Sequence, residues 1–211
     1  MTALYVFGGS STALEIAESF QASASPGDRV SLVVPPSEQP NGTTRLCIDA
    51  LEDYLDAAED AGFIVSMANL EVRLKCIATA EKVGLQPLSV VHPLAVVSPS
   101  AKLGKGSYVA AHAVVSARAA VGRHCILNFH ALVGHDANVG AHVRLHPGAK
   151  LGGACQIGDR VLVGANSFVL QGRTIGSDSI VDAMTYVNAD LPAKKILSSH
   201  RNDGRPLGRV V

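Results

Sequence analysis

A parallel β-solenoid preceded by a small α/β domain is the fold class that this sequence predicts, and three observations predict it. From Val91 to Val187 every sixth residue is Val, Leu or Ile, seventeen in an unbroken row. Gly recurs every eighteen residues, at Gly104, Gly122, Gly140, Gly158 and Gly176. Residues 1 to about 86 lack this period and alternate strand-like with helix-like runs. A helix repeats its buried face near 3.6 residues and a strand at 2, so a strict six fits short flat strands joined by corners. The eighteen-residue glycines mark one corner on successive coils, so three hexads make one triangular turn. Four residues past each aliphatic the side chain is usually small, as at Ala113, Ala119, Cys125, Ala131 and Ala137, which a narrow interior requires.

The elements before the solenoid follow in order. Leu4–Phe7 reads as an apolar strand, Gly8–Ser11 as a turn, and Thr12–Phe20 as a helix with Ala13, Ile16, Ala17 and Phe20 on one face. Arg29–Val34 is a second strand ended by Pro35 and Pro36, and Ser37–Thr44 a polar loop. Helix signals return over Ile48–Ala61, a strand over Phe63–Ala68, and a helix over Leu70–Val83 with Val72, Leu74, Ile77 and Ala78 as its apolar set. Strand and helix alternate, which predicts a small parallel, Rossmann-like α/β domain over residues 1–86. The solenoid then occupies 87–190, and Pro192, Gly204, Pro206 and Gly208 predict an irregular tail over 191–211.

Composition narrows the function classes. The 211 residues carry 18 basic and 18 acidic side chains, so no basic field favours nucleic acid or an anionic membrane surface. The apolar runs are far shorter than the ~20 residues of a membrane span, and the first residues lead into a strand without a charged leader. A cytoplasmic location is the expectation. Cys47, Cys76, Cys125 and Cys155 show no zinc-like pairing, and the last two fall on the small interior position, so reduced buried fillers are expected.

Two segments carry the most specific sequence. One is His92–Pro93–Leu94–Ala95–Val96–Val97–Ser98–Pro99–Ser100–Ala101; the other is Gly134–His135–Asp136 followed by Val139–Gly140. Together with the order of the two domains, they make the chain resemble the hexapeptide-repeat acetyltransferases that modify nucleotide-linked amino sugars and sialic acid in bacterial glycan pathways. The resemblance covers nearly the whole chain. It implies a left-handed β-helix, a homotrimer, acetyl-CoA as acyl donor and no metal. It also implies His135 as general base beside Asp136, and places Gly153, Arg144, Gly164 and Ala165 on the oxyanion and acyl-CoA side. Gly8, Gly9, Ser10, Asn69 and Asn128 fall on its acceptor side.

The residues suit that chemistry. Transfer from a thioester needs a base for the proton of the incoming amine or hydroxyl, and imidazole ordinarily titrates near neutrality. Asp136 can fix the ring's tautomer, and the N–H of a Gly at 153 can approach an oxyanion closely. Gly8–Gly9–Ser10, between a strand and a helix, can cradle a phosphate on helix amides. The chain departs from the family at Arg144, where a His nine residues past the base is common, with His146 two residues on. It departs again at Val34–Pro35–Pro36, which replaces an acidic pair.

Two rival readings stand beside it. His130 and His135 have the His-x4-His spacing of the γ-class carbonic anhydrases, solenoid enzymes that bind zinc. His112 and His130, like His124 and His142, lie eighteen residues apart and should stack on neighbouring coils. The other rival is a scaffold that keeps the fold without the donor chemistry.

Overall fold

The structure, a computed structural model, describes residues 2–34, 45–47, 60–199 and 207–208, and the chain divides into two compact units, 1–93 and 94–211.

In the first unit a five-stranded sheet has the order β3-β2-β1-β4-β5, every pair parallel. Its strands are β1 (Thr2–Phe7), β2 (Arg29–Val34), β3 (Arg45–Cys47), β4 (Asp60–Val65) and β5 (Gln86–Pro87). The central strand β1 is buried on both faces because its residues run apolar from Ala3 to Phe7, as a covered parallel strand requires. Helix α1 (Ser11–Gln21) buries Ala13, Ile16 and Ala17, the expected face, with Phe20 partly covered. Helix α2 (Leu70–Lys82) buries Arg73, Cys76, Ile77 and Ala80, so of the expected set Ile77 is buried and Val72, Leu74 and Ala78 are not. Val72 and Leu74 are exposed, since residues two apart point to different sides of a helix, whereas 73, 76, 77 and 80 form one stripe. The expected strand over Phe63–Ala68 starts at Asp60, so residues 60 and 61 belong to β4 and not to a helix. The rest of the expected helix 48–61, the loop 37–44, Pro35, Pro36 and the Cys47 side chain lie outside the described residues.

The second unit is a parallel β-solenoid. Strands of two residues pair in parallel with strands eighteen residues away, and three faces run through Val96–Val97, Lys102–Leu103 and Tyr108–Val109. From Val109 through Val187 every hexad aliphatic is buried. Val91, the first of the row, is 37% exposed and belongs to the first unit. The small position is also interior, and its hydroxyls bridge coils: Ser107 Oγ accepts from Cys125 N at 3.0 Å and donates to Gly122 O at 3.1 Å. Cys125 and Cys155 are buried free thiols at this position, and Cys76 is one in the first unit.

The corners explain the glycines. A Cβ at Gly122 would lie 2.6 Å from the carbonyl carbon of Gly140 on the next coil, so the eighteen-residue glycines permit close stacking. The left-handed backbone turn is taken two residues later, by whatever residue stands there: Arg118 (φ 57°), His124 (55°), Asp136 (60°) and Asn166 (54°) among others.

The segment after 190 is not irregular throughout. Leu191 is buried in the solenoid core and bridges Ile175, and Lys195–Leu197 pairs in parallel with Ile180–Val181. Leu207–Gly208 then pairs antiparallel with Lys195–Ile196. The partners here are sixteen residues apart, so a two-residue contraction hides the last apolar pair, Leu191 and Leu197, from a strict count of six.

Candidate active site

His135 stands on the corner that joins the first face, at Leu132–Val133, to the second, at Asn138–Val139. Its side chain is 55% exposed, and its Nδ1 lies 2.8 Å from Asp136 Oδ2. Arg118, one coil earlier on the same corner, forks onto that carboxylate, with Nε donating to Oδ1 at 2.6 Å and Nη2 to Oδ2 at 2.8 Å. Those Arg118 bonds, and next the His135 bond, hold the Asp136 carboxyl down to about 2. Asp136 is therefore an anion at neutral pH and acts only as acceptor, which places a proton on Nδ1, so that in the neutral ring the free lone pair is on Nε2.

Gly153 lies one coil later on this corner. A methyl there would stand 2.5 Å from His135 Nε2, so the ring reaches over a position that only Gly leaves open. The amides on either side, Gly152 N and Ala154 N, donate to Val169 O and His135 O. The Gly153 N–H donates to no backbone carbonyl among the described residues, as the turn geometry dictates at this corner position. The His135 Nε2 atom and the Gly153 amide thus belong to adjacent coils of one corner, and a base and an oxyanion donor are the two groups that acyl transfer needs.

The remaining expected residues occupy other places. Arg144 is on the third face, and Asn128, His146 and Gly164 form a column on the corner after that face, with Ala165 next in chain. Asn128 N donates to Leu145 O, and Asn128 Oδ1 accepts from Phe129 N at 3.1 Å. Burial pulls Arg144 below its ordinary value, and burial followed by the Arg144 charge does the same to His146. Within one chain this column and His135 stand at opposite edges of the first face, with Leu132–Val133 between them. In the first unit, Gly8 and Ser66 follow the neighbouring strands β1 and β4, and a Cβ on Gly8 would collide with Ser66 Oγ. Gly8 also takes φ 142°, a backbone that favours glycine. Gly9 and Ser10 lead into α1, where Ser10 is the N-cap with no side-chain capping bond. Asn69 caps α2, its Oδ1 accepting from Val72 N at 3.0 Å.

Both expected histidine stacks are present, His112 on His130 at 5.1 Å and His124 on His142 at 5.3 Å between ring centroids. Among the described residues no three His, Cys, Asp or Glu side chains come together as a metal site. No described helix is long and apolar enough to cross a membrane. Sequence reasoning missed Arg118, and its separation of eighteen from Asp136 was the signal that would have found it.

Residues 136–171 match the family described as bacterial transferase hexapeptide (six repeats). No curated protein sequence matches the chain significantly. Among solved structures, a histidine-to-asparagine mutant of perosamine N-acetyltransferase from Caulobacter crescentus, in complex with CoA and GDP-perosamine, superposes with a TM-score of 0.88 at 29% identity, covering 98% of this chain and 97% of that one. The acetyltransferase domain of PglB from Neisseria gonorrhoeae FA1090, in complex with acetyl coenzyme A, gives 0.85 at 29% identity, covering 97% and 98%. WeeI from Acinetobacter baumannii AYE shares the fold, with a TM-score of 0.85 at 23% identity and coverage of 98% and 100%. The six-residue repeat, matched over residues 136–171, and the full-length structural likeness to sugar acetyltransferases mark this chain as an acyltransferase built on hexapeptide repeats.

Proposed function

We propose that this enzyme transfers the acetyl group of acetyl-CoA to an amine, or less readily a hydroxyl, of a nucleotide-linked amino sugar or sialic acid, with His135 as general base. The observation that carries the reading is the corner itself: an imidazole held through Nδ1 by an ionised Asp136, with Nε2 above Gly153. The acceptor nitrogen attacks the thioester carbon and its proton passes to Nε2. The Gly153 N–H donates to the oxyanion that forms. Collapse breaks the carbon–sulfur bond, forms the amide, and returns the proton to the departing CoA thiolate. The similar enzymes with CoA, acetyl coenzyme A and GDP-perosamine support both substrates.

The domain that selects the acceptor is the first unit. Its parallel strands run in the order β3-β2-β1-β4-β5, and Gly8–Gly9–Ser10 follows the central strand β1, with β2 on one side and β4 on the other. Ligands of open parallel sheets bind at the carboxyl ends of the strands at such a point, and the α1 amides favour an anion. The separation of Asn128, Arg144, Gly164 and Ala165 from His135 supports a homotrimer, in which a second copy brings its column to the first copy's His135 and encloses CoA between solenoids. The enzyme then works in the cytoplasm, where acetyl-CoA and activated sugars meet. Thiol release from acetyl-CoA, measured against a panel of amino-sugar nucleotides and sialic acids, tests the reading. Release with an amino-sugar nucleotide and mass gain of one acetyl group support it; no acceptor-dependent release with any member overturns it.

A further inference from the structure

We propose that Arg118 is a positioning residue for catalysis: gripping Asp136 from the preceding coil, it holds the His135 ring with Nδ1–H on the carboxylate and Nε2 bare toward substrate. This rests on His135 being the base. The fork is complete, because Arg118 Nε and Nη2 take both Asp136 oxygens and Oδ2 is shared with His135 Nδ1. The Arg118 main chain is itself anchored, since its backbone N–H donates to Ser100 Oγ at 3.1 Å, and Ser100 Oγ lies 3.1 Å from Ser98 Oγ. Ser100, Arg118 and Asp136 thus stack over three coils on one edge. Exposed ion pairs contribute little to folding, and here the Arg118 and Asp136 side chains are 67% and 38% exposed. The pair's effect falls on the ring it orients. Released from Arg118, the Asp136 side chain would rotate toward water and Nδ1 would lose its fixed acceptor.

The fold supplies an internal comparison. Arg160 forks onto Asp178 with the same eighteen-residue offset, at 2.7 and 2.9 Å, both residues on left-handed corner positions. The residue before Asp178 is Ser177, whose Oγ accepts from Asp159 N, so that fork clasps coils and orients no imidazole.

The test uses the full-length protein with 15N-labelled histidine, in wild-type, Arg118→Ala, Arg160→Ala and Asp136→Asn forms, the His135 signals being assigned by their loss in His135→Asn. Wild type and Arg160→Ala should show a protonated Nδ1 and bare Nε2 at His135, and Arg118→Ala a mixture of tautomers. In turnover, Arg118→Ala should lower kcat by roughly ten- to a hundredfold with KM for acetyl-CoA nearly unchanged. Added guanidinium ion should restore some of the loss where sodium does not, and Arg118→Ala should cost little further in the Asp136→Asn background. A wild-type tautomer in Arg118→Ala, or losses that multiply in the double variant, would overturn the proposal. Should wild type turn over no acceptor, the functional reading fails, and the ring spectra alone decide whether Arg118 sets the tautomer.

Discussion

At His135 two neighbours act on opposite sides of the ring, Asp136 at Nδ1 and Gly153 beneath Nε2, and each makes a separate prediction. Gly153→Ala places a methyl 2.5 Å from Nε2. The ring is the movable partner, so it swings off its position; kcat should fall by about a hundredfold or more while the melting temperature changes little. Steady-state kinetics beside calorimetry checks this, and a fully active Gly153→Ala would mean that the ring does not work from this pose. Asp136 titrates in the opposite sense to a buried carboxyl, because Arg118 and then His135 lower it to about 2. A lowered carboxylate stabilises the fold fully above its ordinary value near 3.8, and the contribution fades as pH falls from there toward 2. The clasp should therefore be unchanged between pH 5 and 8. An NMR titration of the Asp136 carboxyl carbon should show a midpoint well below 3.8, and a midpoint at or above it would contradict the fork.

Coil corners show which glycines carry the architecture. A Cβ added to Gly122 would meet backbone of the next coil at 2.6 Å, whereas one added to Gly172 would meet open space, leaving only its φ of 72° to satisfy. Gly172→Ala should cost roughly 1 kcal/mol of left-handed strain. Gly122→Ala must push neighbouring coils apart and should cost about 3 kcal/mol or more. Urea unfolding of both variants measures the difference; equal midpoints would show that the glycines do not set the coil spacing. The hexads were legible in the sequence because every interior position repeats, and the corner was legible in its glycines. The left-handed position was not legible: it holds Arg118, His130, Asp136, Ala154, Met184 and Lys194, which share no chemistry because the backbone demand is met by the coil on either side. The end of the solenoid was hidden for a related reason, since Leu191 and Leu197 continue the core after a two-residue contraction that breaks the count. For the site, His135, Asp136 and Gly153 stood out through a motif and one eighteen-residue step. Arg118 did not, because its eighteen-residue step runs back from Asp136 to a residue that no motif marks.

Across the whole molecule, one chain presents an incomplete site. His135 and Gly153 share a corner, while Asn128 and Gly164 stand across the first face from it and Arg144 lies on the third. In the proposed homotrimer a neighbouring copy forms the second wall around the thioester, which a surface corner of a packed solenoid lacks. Light scattering should give three times the 21.9 kDa chain mass under assay conditions, and a monomer with full activity would remove that requirement. The central claim is that His135 takes the acceptor's proton during acetyl transfer. Its most direct measurement is thiol release from acetyl-CoA by wild type and His135→Ala, side by side on the best amino-sugar nucleotide, with the variant's fold checked by circular dichroism. The variant should keep the fold and lose about 10²–10⁴ in kcat. A folded His135→Ala that retains more than half of the wild-type rate would contradict the account.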